Sequence, residues 1–343
     1  MKRRSLLSYS LANGLTGALT GTLTGTLTGT LASLPKQSFA QSTLSGRNLR
    51  FMVGYPAGGV ADFIARSCTE GLNASLGAFT SVENKPGAAG NIAMDAVIKA
   101  GPDSGVFGAF SNLQVTLNPL VPQLALKNVD PMQELVPVAA MADLILMLCV
   151  STQFGVKTLD QFLAKAKELG PNVKMGLAGI GTPHHMAALL LQKNAGLDMT
   201  LVPYKGGPPM IADAAGGHLD AVITTLPVGG PMVQAGKMNW IAVVPPTSIP
   251  SLPGVPNLSS VLRGENIPTG NTIFAPAGTS AKVIAELSDA VRKLVSSPSV
   301  NAKLRANGLE PTDIARSELP SRLKDEAAYM KEFLSKVKID FST

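Results

Sequence analysis

An α/β fold in two domains follows from three features of this sequence. From about residue 49 onward, short apolar runs alternate with amphipathic stretches. Such alternation gives parallel-rich sheets with helices on both faces. The run 144–150, Leu-Ile-Leu-Met-Leu-Cys-Val, has no polar break, which suits a strand buried on both faces. The chain has 343 residues with 34 Gly and 25 Pro, enough for two cores and many connecting loops.

The elements read in order as follows. Residues 49–53 form a strand, and 62–76 a helix with Ile64, Cys68, Leu72 and Leu76 on one face. Residues 79–82 are a strand, and 92–100 a helix stopped by Gly101-Pro102. A strand at 106–110 precedes the apolar run. Thr158 caps a helix carrying Phe162, Leu163, Ala166 and Leu169, which ends at Gly170-Pro171. A strand (174–178), a helix (183–194), a strand (201–204) and a short helix (210–215) follow. Strands 221–225 and 240–244 flank a helix near 231–235. After a Pro-rich crossing (245–256) comes a strand at 272–275. Thr279 then caps a long helix with Val283, Ile284, Leu287, Val291, Leu294 and Val295 inward. Helices near 299–307 and 318–338 finish the chain.

Net charge is +6, but Lys2, Arg3, Arg4 and Lys36 supply most of it. No basic block occurs downstream and Trp240 is the only tryptophan, which excludes a nucleic-acid groove. Residues 1–40 hold a positive start, an uncharged stretch rich in Leu, Thr and Gly, and Ser38-Phe39-Ala40 as a cleavage site. They read as an export signal cleaved before Gln41; repeated Gly and Thr disfavour a membrane anchor. Arg3-Arg4 leaves the Sec and twin-arginine routes both open. Cys68 and Cys149 both sit in apolar surroundings and read as free core thiols, although spacing does not exclude one disulfide.

Three Gly-rich loops join a strand to a helix: Tyr55-Pro-Ala-Gly-Gly-Val-Ala-Asp62, Glu83-Asn-Lys-Pro-Gly-Ala-Ala-Gly-Asn91 and Gly179-Ile-Gly-Thr-Pro-His-His185. Glycine lets main chain approach a ligand, and a helix start offers unpaired N–H groups. Each loop is therefore either an anion site or a tight turn with a helix cap. Asp62 either caps its helix or accepts a hydrogen bond from a ligand. His184 and His185 lie in a first helical turn after Pro183. Being adjacent, they do not share a helix face, which argues against a metal pair.

Enzyme signatures are missing. The sequence has no phosphate-cradling Gly-x-x-x-x-Gly-Lys loop, no His-Glu-x-x-His, no Cys-x-x-Cys and no Gly-x-Ser-x-Gly. An enzyme using His185 with Ser111 or Asp62 lacks a visible orienting partner. No catalytic residue, cofactor or metal is expected.

Taken in order, these loops resemble the substrate-binding proteins of tripartite tricarboxylate transporters, the Bug family. The resemblance also draws on Val202-Pro-Tyr-Lys-Gly206, Gly216-Gly-His-Leu-Asp220, Gln234-Ala-Gly-Lys237, Leu252-Pro-Gly-Val-Pro256 and Phe274-Ala-Pro-Ala-Gly-Thr279. It runs from about residue 49 to 338. It implies a type II periplasmic-binding fold, with two lobes whose parallel-rich sheets face a ligand cleft. Lobe 1 would comprise 41–142 and 245–343, and lobe 2 would comprise 143–244. It further implies a periplasmic receptor for a small organic carboxylate, held by main-chain N–H groups and delivered to membrane permease subunits. A sensory receptor feeding a membrane signalling protein is the alternative. The implied ligand-binding residues are Tyr55, Ala57, Gly58, Gly59, Val60 and Asp62 in the first loop, Ser111 after a strand of the same lobe, and Gly181, Thr182, His185 and Thr225 across the cleft. Three positions depart from the family pattern: Pro102-Asp-Ser-Gly105 replaces Pro-Asp-Gly-Tyr, His184 precedes the matching His185, and Trp240 stands where Arg is common.

Overall fold

The computed structural model describes residues 42–244 and 252–336. The expected export signal, part of the Pro-rich crossing and the end of the last helix lie outside the described residues. In chain order the elements are β1 (Asn48–Val53), α1 (Val60–Thr69), α2 (Leu72–Leu76), β2 (Phe79–Asn84), α3 (Asn91–Ala100), β3 (Val106–Ser111), α4 (Asn112–Thr116), α5 (Pro131–Glu134), β4 (Leu135–Leu144) and β5 (Leu146–Ser151). They continue with α6 (Leu159–Leu169), β6 (Lys174–Leu177), α7 (Pro183–Ala195), β7 (Thr200–Pro203), α8 (Gly207–Ala215), β8 (Ala221–Thr225), α9 (Leu226–Gln234) and β9 (Met238–Val244). The last are α10 (Ser259–Leu262), β10 (Gly270–Pro276), α11 (Ala281–Val295), α12 (Pro298–Ala306), β11 (Leu309–Pro311) and α13 (Leu319–Lys336).

Two sheets result. The first has the order β11-β4-β10-β3-β1-β2 and the second β7-β6-β8-β5-β9. Parallel pairs β1–β2, β1–β3, β6–β7 and β6–β8 carry the α/β crossovers, but antiparallel pairs are as frequent or more so, and both sheets are mixed rather than parallel-rich. Each also takes in strands of opposite sense: β10 runs antiparallel to β3 and β4, and β5 antiparallel to β8 and β9. This two-lobed mixed α/β architecture is the predicted fold class. The apolar run 144–150 straddles the passage between sheets. Leu144 ends β4 in the first sheet, Ile145 crosses, and β5 starts at Leu146 in the second. β5 is buried along its whole length because β8 and β9 flank it on both edges.

Three further expectations need correction. The helix expected over 62–76 is two helices, broken where Gly71 takes φ +95, a region that favours glycine. The apolar face survives the break, since Ile64, Cys68, Leu72 and Leu76 all enter the same core. The cap of α11 is Ser280, whose Oγ accepts from the Val283 N–H; the Thr279 hydroxyl instead donates to the Pro276 carbonyl at 2.7 Å. Strand β4 was not foreseen, because Pro137 interrupts its apolar pattern. The sheet tolerates that proline beside a register shift at Ile273/Phe274, where a missing ladder N–H costs least.

The two passages between sheets lie side by side. The Leu144 N–H donates to the Thr269 carbonyl at 3.1 Å, and Asn271 Nδ2 bridges the carbonyls of Ala142 and Thr269. From α13, Arg322 grips Asp143 through both carboxylate oxygens and also holds Glu326 at 2.9 Å. Glu326 accepts in turn from Asn112 Nδ2, and Asn112 Oδ1 accepts from Thr272. One polar chain therefore ties the start of α4, the last helix and the passage between lobes. Cys68 and Cys149 are free and buried in separate clusters. Among the described residues no helix is long and apolar enough to cross a membrane.

Candidate functional site

The strand order brings the carboxyl ends of β1, β3, β6 and β7 to one place, with the amino end of antiparallel β10 beside them. Open α/β sheets take their ligands at such ends. A cavity of about 40 Å³ lies there. Tyr55, Pro56, Gly59, Val60, Ala61, Ser111 and Asn271 line it from the first lobe, and Ala178, Thr182, Pro183, His184, Gly206 and Gly207 from the second.

The first wall is the β1–α1 loop. Gly54 must be glycine, because a Cβ there would sit 2.6 Å from the Gly90 Cα. Gly59 is the N-cap of α1 and supplies no side-chain acceptor, so the first-turn N–H groups of α1 begin at Val60 without a cap. Asp62 lies in that turn but looks elsewhere. It accepts from the Gly58 N–H at 3.1 Å and pairs with Arg66 at 2.9 Å. Burial works to raise the Asp62 pKa, but hydrogen bonds from Arg66, the Gly58 amide and Asn84, with the Arg66 charge, hold it below the usual carboxylate value. The carboxylate thus fixes the loop rather than facing the cavity.

The opposite wall is the start of α7. The Thr182 hydroxyl accepts from the His185 N–H and donates to the Gly179 carbonyl at 2.7 Å. The Gly181 N–H donates to His185 Nδ1 at 3.2 Å, with Gly181 at φ +71. His185 is a pillar of this loop, and His184, one residue earlier, lines the cavity. Burial lowers the pKa of both histidines to about 4, so both are neutral near pH 7.

The structure therefore brings Tyr55, Gly59, Val60, Ser111 and Thr182 around one cavity. Ala57, Gly58, Asp62, Gly181, His185 and Thr225 stand outside its lining. Ala57 and Gly58 are exposed, whereas Thr225 is fully buried at the end of β8. Sequence reasoning missed Asn271 and the Gly206-Gly207 pair, and it placed His184 toward a cleft without counting it among the ligand-binding residues. The Val-Pro-Tyr-Lys-Gly motif ending at Gly206 was the signal available for the second of these.

At the mouth the lobes touch. A Cβ on Gly206 (φ +153) would lie 2.8 Å from the Pro56 Cδ, and one on Gly179 would lie 3.6 Å from the Tyr55 ring. No Lys, Arg, Asp or Glu is among the cavity residues, so its positive potential comes from the facing starts of α1 and α7. A larger hollow of about 990 Å³ beside the lobe passages is lined by Asp143, Glu310, Glu318, Asp325 and Glu326 with Arg322. Its acidic wall repels anions. Among the described residues no group of His, Cys, Asp and Glu is arranged to hold a metal.

Comparison with known proteins follows the same line. The profile described as tripartite tricarboxylate transporter family receptor matches residues 64–339. The protein BugT of Bordetella pertussis is 27% identical over 304 residues, spanning 86% of this chain and 92% of the relative. An R. palustris protein solved with adipate superposes with a TM-score of 0.80 at 26% identity, over 84% of this chain and 96% of that one. A structure described as a periplasmic transporter gives 0.79 at 27% identity, over 86% and 98%. The periplasmic binding protein BugD, 24% identical with a TM-score of 0.78 over 84% and 97%, shares the fold.

Proposed function

The chain belongs to the tripartite tricarboxylate transporter receptor family, whose members are solute-binding receptors and not enzymes, and from that premise we propose that it captures a small organic carboxylate between its lobes. One observation carries the reading: the uncapped start of α1 and the start of α7 face a single buried cavity with no ionised side chain in its walls. A carboxylate placed there is held by main-chain N–H groups and two helix dipoles, which charge-assisted hydrogen bonds strengthen. Val60, Ala61 and Ser111 provide for it from lobe 1, and the start of α7 from lobe 2. The adipate bound by the R. palustris relative supports the ligand class.

Lobe 1 is residues 41–142 with 245–343, and lobe 2 is 143–244. The strand membership of the two sheets supports this division except at its edges, where Asp143 and Leu144 still belong to β4 of the first sheet and α10 leans on α7 of the second lobe. Because the lobes touch at Pro56 and Gly206, entry requires them to part. A ligand that contacts both lobes then shifts the population toward the closed form. The receptor works in the periplasm after removal of its first forty residues and hands its ligand to membrane permease subunits.

The test is thermal unfolding of the mature protein, first unfolded and refolded to strip bound ligand, against mono-, di- and tricarboxylates, aromatic acids and amino acids. A ligand at about 100 times its Kd adds about 2.7 kcal/mol of stability. A clear upward shift with a carboxylate is the expected result; no shift with any of them refutes the reading. Loss of uptake of that acid on gene deletion checks delivery to the permease, while retained uptake with lost induction points to sensing.

A further inference from the structure

Ser111 and His184 stand on opposite walls of the cleft, one at the end of β3 and the other in the first turn of α7. Each is only 6% exposed, and both line the same cavity. Ser111 Oγ and His184 Nδ1 are buried; among the described residues His184 Nδ1 has no partner, and Ser111 Oγ, which accepts from the Gln114 main-chain N–H in the capping box of α4, has no acceptor for its own hydrogen. Three polar groups nearby are engaged. Asn271 Nδ2 is held by two carbonyls, the Thr182 hydroxyl bonds Gly179 and His185, and Gln114 Oε1 takes the Ser111 main-chain N–H at 3.0 Å. A buried donor or acceptor left unmatched is costly, so the Ser111 hydroxyl hydrogen and the His184 Nδ1 on opposite walls call for an occupant that matches both.

We propose, building on the carboxylate reading of this cleft, that Ser111 and His184 determine specificity by binding a hydroxyl group of the ligand, so that the solute is a hydroxy acid rather than a dicarboxylate. A hydroxyl carries one donor and two acceptor sites. It can donate to one of these side chains while accepting from the other, and serine and a neutral imidazole each supply the complementary role. A second carboxylate only accepts, and it would bring a second negative charge into a wall without Lys or Arg. The α1 and α7 N–H groups already serve the first carboxylate, and a neutral imidazole does not balance another charge. Desolvation of that charge therefore goes uncompensated.

Calorimetric titration of ligand-stripped protein decides the matter. The probes are propanoate, butanoate, pentanoate and hexanoate, their terminal hydroxy acids, and the dicarboxylates of the same chain lengths. At the best-fitting length the hydroxy acid binds about tenfold more tightly than both the plain acid and the dicarboxylate. His184→Leu and Ser111→Ala each bring the ratio of hydroxy acid to plain acid down to about one. His184→Asn, which keeps a hydrogen-bonding atom at the δ position, restores part of it. A dicarboxylate that binds as tightly as the hydroxy acid overturns the inference and leaves the carboxylate reading standing. So does a preference that survives both His184→Leu and Ser111→Ala. If no acid of any series binds, this inference falls, and the thermal-unfolding panel of tricarboxylates, aromatic acids and amino acids decides whether the carboxylate reading falls with it.

Discussion

Acidification tests the buried histidine pair most directly. His184 and His185 ordinarily titrate near 6.5, and burial moves both to about 4 in the folded protein. His185 has a further reason to stay neutral, since its Nδ1 accepts from the Gly181 N–H and cannot do so once protonated. Both folded values are depressed, so the unfolded chain binds protons before the folded chain does. Stability is complete above about pH 6.5 and declines as pH falls toward about 4. At about pH 5.5 each histidine contributes a slope of about 1.2 kcal/mol per pH unit, and between about pH 7 and 5 each removes about 2 kcal/mol. Urea denaturation of ligand-stripped protein across this range reads the loss. Glu326 works against it, because burial raises its carboxyl pKa despite the opposing Arg322 contacts, and so the informative quantity is the difference between wild type and variant. His184→Gln and His185→Asn, the latter keeping an acceptor for Gly181, should each remove about 2 kcal/mol of the acid-dependent loss between about pH 7 and 5. Parallel pH profiles for wild type and both variants would refute the reasoning.

Four further outcomes are expected. Val60→Pro removes one donor from the cleft while leaving α1 intact, since proline is accepted at a first helical position and Gly59 already has an extended backbone; carboxylate affinity should fall about tenfold in calorimetry with little change in unfolding temperature. Gly206→Val adds a Cβ within 2.8 Å of Pro56 and forces φ +153 on a branched residue, so ligand should dissociate faster by at least about tenfold in stopped-flow measurements. Arg322→Met leaves Glu326, only 12% exposed, and Asp143 without their cation; urea denaturation should show a loss of about 1–3 kcal/mol, and an unchanged midpoint would mean the polar chain at the lobe passage is idle. Burial pushes the Cys68 thiol up to about 12 and raises Cys149 further, so a thiol reagent at neutral pH should label neither in the native protein and both in urea.

Much of the fold is legible in the sequence, because burial imposes periodicity. Strand β8 and helices α6, α7 and α11 stand where their apolar spacing places them, and the Thr158 cap accepts from the Gln161 N–H as its residue type demands. What periodicity hides is a neighbour-dependent element. Strand β4, with Pro137 in it, is a strand because β10 pairs with it residue by residue, and three-residue β11 exists only against the end of β4. The break at Gly71 is similarly hidden, since the apolar face continues straight across it.

The sequence by itself determined the alternation that makes an α/β protein, the glycine loops at the helix starts, and the order of motifs that ties the chain to its family. These are local properties, set by residue spacing and backbone freedom. Tertiary structure alone decided which loop residues converge. Asp62 and His185 lie inside motifs as legible as Val60 and Thr182, yet Asp62 turns to Gly58 and Arg66, and His185 braces Gly181. His184 and Asn271, whose sequence signals were weaker, line the cavity instead. The reason is that a cleft is assembled from segments far apart in the chain, and side-chain direction across it depends on hydrogen bonds that only the folded lobes can supply.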